Sequence, residues 1–69
     1  MEFKLECERE DDGRWLAEIS TLPGVMAYGI SADEAMAKAE ILALKVLAER
    51  LEHGEASPMS VSISLPSAA

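Results

Sequence analysis

From Glu2 to Glu10 apolar and polar residues alternate: Phe3, Leu5 and Cys7 share one side, Glu2, Lys4, Glu6 and Glu8 the other. A period of two predicts a half-buried strand. The next residues, Glu10-Asp11-Asp12-Gly13-Arg14, combine aspartates that bond to local backbone with a glycine that accepts positive φ, and predict a hairpin turn. Trp15 to Ser20 alternates again, with Trp15, Ala17 and Ile19 opposite Leu16, Glu18 and Ser20. Thr21-Leu22-Pro23-Gly24 ends that strand, because Pro-Gly suits the central pair of a type II turn. A short strand over Val25 to Ile30 follows, in which Gly29 marks a bulge or the close approach of another backbone.

Ser31, with Glu34 three residues on, opens the single helix as a capping box, and Asp33 and Glu34 suit the positive end of its dipole. The pattern carries the helix to about His53, with Gly54 as the left-handed residue that stops it. Met59, Val61, Ile63 and Leu65 then alternate with serines and predict a last strand, and Pro66 to Ala69 reads as a frayed end. The expected fold is α+β, in the order β-β-β-α-β. Three strands form an antiparallel meander, one helix packs on one face, and a crossover sets the fourth strand parallel to the first.

At 100° per residue, Ala32, Ala35, Met36, Ala39, Leu42, Ala43, Val46 and Leu47 form a broad stripe that faces the sheet. A second apolar set, Ala37, Ile41, Leu44, Ala48 and Leu51, lies on the other side of the helix, with Glu34, Lys38, Lys45, Glu49 and Glu52 between the two. One sheet cannot bury both stripes. Ile41, Leu44, Ala48 and Leu51 are therefore the expected contact of an oligomer, a dimer or a tetramer, with a sheet edge as the alternative contact, since contiguous apolar patches mark partner surfaces. A chain of 69 residues is expected to be one domain, and one of this size buries only about 60% of its unfolded surface, so association would add to a thin stability margin.

Composition narrows the function. Thirteen acidic against six basic residues give a formal charge of -7, which argues against binding phosphate backbones directly and favours a basic protein as partner. No stretch approaches the about 20 apolar residues of a membrane span, and no leader pattern opens the chain, so the cytoplasm is the expected location. Catalytic chemistry finds little support. His53, the only imidazole, sits where a cation suits the helix end. Cys7 alternates with core residues, and Ser57, Ser60, Ser62 and Ser64 have no histidine to activate them. Glu8, Glu10, Asp11 and Asp12 lack the spacing of a calcium loop and read as a solvated acidic turn. No catalytic residue, metal site or cofactor is expected.

The segments Glu10-Asp11-Asp12-Gly13-Arg14-Trp15-Leu16-Ala17-Glu18-Ile19, Leu22-Pro23-Gly24-Val25, Tyr28-Gly29-Ile30-Ser31 and Glu34-Ala35-Met36, with helical Ala39, together resemble the N-terminal domain of HicB-type antitoxins. The likeness lies in the order and spacing of the pieces and covers residues 2 to about 53. It implies a reduced ribonuclease H-like sheet in the same strand-strand-strand-helix-strand order. It also implies that Gly13, Pro23, Gly24, Trp15, Ala17, Ser31 and Glu34 have structural work. Nuclease chemistry is not expected, since the last strand offers only serines where that lineage places metal-binding carboxylates. Family members bind and block HicA, a small basic ribonuclease, and usually carry a C-terminal DNA-binding domain. Here a stand-alone domain without such an extension is expected, and operator binding by this chain is not.

The expected function is accordingly a non-enzymatic, HicB-like antitoxin domain. It would cover a basic HicA-type toxin with Glu8, Glu10, Asp11, Asp12 and Glu18 standing in for RNA phosphates. The alternative is an oligomeric structural or small-ligand-binding module with no toxin, holding a ligand in a cleft between subunits near Trp15, Tyr28 and Met26.

Overall fold

Alternation, turn chemistry and helix caps produce the expected elements in a computed structural model that describes residues 1–66. The strands are β1 (Glu2–Lys4), β2 (Glu6–Arg9), β3 (Trp15–Glu18) and β4 (Met26–Gly29), followed by the helix α1 (Ala32–Glu52) and β5 (Ser62–Ser64). β2, β3 and β4 form an antiparallel sheet in that order, and β1 pairs in parallel with β5. The fold is thus the expected α+β meander, with one helix on a face and the last strand parallel to the first.

The expected first strand, Glu2 to Glu10, is divided at Leu5. Backbone groups of successive strand residues point to opposite sides, so one extended segment can serve two neighbours. Here each neighbour overlaps only half of it. The parallel ladder pairs Glu2–Lys4 with Ser62–Ser64 and is extended by Leu5 N–H donating to Ser64 O at 3.0 Å, while the antiparallel ladder begins at Glu6 opposite Glu18. β5 is shorter than the Met59 to Leu65 alternation because its ladder runs only opposite β1. Of the frayed end expected over Pro66 to Ala69, residues 67–69 lie outside those described.

The turns form as their chemistry requires. Gly13, at φ +90°, closes the β2–β3 hairpin through Gly13 N–H to Glu10 O (3.0 Å) and Glu10 N–H to Arg14 O (2.7 Å). Val25 N–H donates to Leu22 O at 3.1 Å across Pro23 and Gly24, whose φ of +86° fits the third position of a type II turn. Ser31 Oγ accepts from Glu34 N–H at 3.1 Å, as expected, but Glu34 Oε1 accepts from Ile30 N–H at 3.1 Å, one residue upstream of the reciprocal bond of a capping box. At the other end Gly54, at φ +71°, completes a Schellman cap: its N–H donates to Leu51 O (3.3 Å) and that of Glu55 to Arg50 O (2.8 Å).

The core lies between α1 and the sheet. Leu5, Ile19, Leu22 and Val25 are its largest fully enclosed side chains, joined by Phe3, Ala17 and, from the helix, Ala35, Ala39, Ala43 and Leu47. Three of the four buried helix positions are alanines, which lets the helix axis approach the strands closely. Gly29 continues that fit. A Cβ there would stand 2.6 Å from Ala35 N and 3.0 Å from Glu34 Cβ, so the close backbone approach expected at this glycine is what the fold contains. α1 covers β4 and β3 most extensively and β2 less.

Candidate functional site

The face of the sheet turned away from α1 is built by register. Across β2, β3 and β4, Glu6 lies beside Glu18 and Glu18 beside Met26, while Glu8 lies beside Leu16 and Leu16 beside Tyr28. The alternate rows, Cys7–Ala17–Ala27 and Arg9–Trp15–Gly29, face the helix. The open face therefore has a central apolar strip of Leu16, Tyr28 and Met26 bordered by Glu6, Glu8 and Glu18. Leu16, on the side expected to be polar, is only 8% exposed. The Arg14 guanidinium stacks over the Tyr28 ring, 4.3 Å from its centroid.

The expected acidic residues divide. Glu8 and Glu18 belong to this face, and Glu6, opposite Glu18 and outside the expected set, joins them. Glu10 is half-buried at the base of the hairpin, and Asp11 is exposed in its turn. Asp12 does not offer a free charge. Its Oδ2 pairs with Arg14 Nε at 2.7 Å and its Oδ1 accepts from Arg14 N–H at 3.0 Å, bonds that hold the Asp12 carboxyl below its ordinary range. Glu34, in the first turn of α1, is lowered likewise, first by the Ile30 N–H and then by Lys38. Among the described residues the two ion pairs are Arg14–Asp12 and Lys38–Glu34, so Glu6, Glu8 and Glu18 have no cationic partner.

Like charges directly opposite on neighbouring strands are destabilising, and Glu6 opposite Glu18 is such a pair. Glu18→Gln is therefore expected to raise stability, by about 0.2–1 kcal/mol, in a urea melt. An unchanged or lower midpoint would show that the pair is not strained.

The depression lined by Glu6, Cys7, Glu8, Leu16 and Glu18 holds ≈ 100 Å³, well below the about 300–1,000 Å³ of ligand pockets. Trp15 stands on the helix side of the sheet and Tyr28 and Met26 on the other, so within a chain these three do not line one cleft. No three His, Cys, Asp or Glu side chains among the described residues are placed to hold a metal ion. Cys7 is half-buried against the core, and burial pushes its thiol up. His53 is exposed at the helix C-cap.

On the outer side of α1, Ile41, Leu44 and Leu51 are 51%, 53% and 43% exposed, and Ala37 and Ala48 are exposed with them. No helix among the described residues is long and apolar enough to cross a membrane. No protein-family model, curated protein or solved structure matches this chain.

Proposed function

We propose that the open face of the sheet is a recognition surface for a basic protein, and that this partner is a small RNA-cleaving toxin of the HicA kind. The observation that carries the reading is the cross-strand pair of Glu6 and Glu18, with Glu8 nearby, set around Leu16, Tyr28 and Met26 with no ion-pair partner among the described residues, since Arg14 over the Tyr28 ring is paired with Asp12 instead. A basic partner removes the repulsion on binding, and Met26 and Tyr28, both exposed, supply apolar area that water leaves. The partner's identity rests on the resemblance of residues 2 to about 53 to HicB-type antitoxins, and the surplus of seven negative charges fits it. The mechanism is occlusion with charge mimicry: carboxylates occupy the space of RNA phosphates on the toxin, and the body of the domain blocks the substrate.

The test is RNA cleavage by a purified HicA-type ribonuclease from the same genome, titrated with this protein. Stoichiometric inhibition at low ionic strength, weakening as salt is added, is the expected result. Undiminished cleavage and no measurable binding at low ionic strength would refute the proposal.

A further inference from the structure

We infer that the outer face of α1 is a seam on which a second copy of this chain packs, with the two helices parallel. Ala37, Ile41, Leu44, Ala48 and Leu51 are separated by four, three, four and three residues, and all are exposed. This is the 3.5-residue repeat that keeps one apolar strip facing a partner helix. Over two such repeats a straight helix drifts by only about 40°, so the strip stays continuous without supercoiling.

The flanking charges select the orientation. Asp33 and Glu40 border the strip on one side, Lys38 and Lys45 on the other. In a parallel pair each flanking residue meets the one five positions further on in the other copy. Glu40 then faces Lys45 of the second copy, a contact that occurs twice by symmetry, while Lys38 stays with Glu34 and Tyr28 O of its own chain. An antiparallel pair centred on the same strip would set Lys38 against Glu52 but Lys45 against its own copy, and would leave the acidic flank without cations.

Sheet edges compete poorly with this face. On β4, Lys38 Nζ donates to Tyr28 O at 3.4 Å, a lysine lying across the edge, and β5 on the other side is only 3 residues long. A seam of two repeats spans about 21 Å and makes a dimer that dissociates at micromolar concentrations. The inference is independent of any toxin.

Light scattering from about 1 to about 500 micromolar, the range over which an interface of this size dissociates, should show the mass doubling. Leu44→Asp should remain monomeric, with the dissociation constant raised about 100-fold or more and an unchanged circular dichroism spectrum, because Leu44 is already half exposed in one chain. Ile41→Gln serves as a second, milder variant.

Orientation is read by oxidation. In a Cys7→Ala background, Leu51→Cys should link to its own copy, as should Ala37→Cys. In an antiparallel pair, position 51 would lie about 15 Å from its copy, beyond the about 7 Å a disulfide spans, and Ile41→Cys would link to Leu51→Cys instead. A wild-type monomer throughout the range, a Leu44→Asp dimer, or the mixed link alone would overturn the inference.

Discussion

Leu5→Ala is expected to cost about 2–5 kcal/mol of folding free energy. A chain of 69 residues has, at about 0.05–0.15 kcal/mol per residue, only about 3–10 kcal/mol in total. Leu5 has no exposed surface and lies where the chain passes from the parallel ladder to the antiparallel one. No single helix or turn can collapse into the space it vacates, because α1, β1 and β2 are held by different neighbours. Thermal unfolding followed by circular dichroism should show a midpoint lowered by at least about 10 °C, at about 4–8 °C per kcal/mol for this size. A shift below about 4 °C would mean that the residue is less enclosed than the fold places it.

Gly29→Ala should be nearly as damaging, for a different reason. The backbone at Gly29 does not have positive φ, so alanine suits the strand itself. What stops it is the first turn of α1: the added carbon would stand 2.6 Å from Ala35 N and 3.1 Å from Ala35 Cα. Backbone cannot rotate away as a side-chain tip can, so the helix start must lift from β4. That movement strains the Ser31 cap and the Ile30 N–H to Glu34 bond together. Overpacking of this kind costs about 1–3 kcal/mol, occasionally more. Urea denaturation gives the loss, and amide exchange should quicken first at residues 31–36. A change within about 0.5 kcal/mol would contradict the close contact.

Much of this fold can be read from the chain because its local signals agree. Phe3, Leu5 and Cys7 against Glu6 and Glu8 identify which face of the strand is buried, and Ser31, Glu34 and Gly54 mark both helix ends. The eight helix residues read as sheet-facing are all buried or half-buried, and the five read as outward-facing are all exposed. Face is not neighbour, however. Alternation shows where side chains point but not which strand accepts the backbone, so the change of partner at Leu5 was not legible. Leu16 illustrates the same limit: its place on the polar side was clear, but its enclosure depends on Tyr28 and flanking residues brought alongside by register.

The acidic face was half legible. A turn over Asp11, Asp12 and Gly13 fixes Arg9 opposite Trp15, and counting back from there pairs Glu6 with Glu18. That count was the available signal for Glu6. The aspartates are more conspicuous in sequence, yet Asp12 is occupied by Arg14, an interaction two residues apart that composition alone does not reveal.

The proposed recognition of a basic protein rests on the unpaired carboxylates Glu6, Glu8 and Glu18 of the open sheet face. Its most direct test is calorimetric titration of a HicA-type ribonuclease with wild type and with the Glu6→Lys, Glu18→Lys double variant, each over a salt series. The reversal should weaken binding by at least about tenfold, a difference of about 1.4 kcal/mol, and flatten the salt dependence, while the variant keeps its folded spectrum. Wild-type affinity with an unchanged salt slope in the reversed protein would contradict the account.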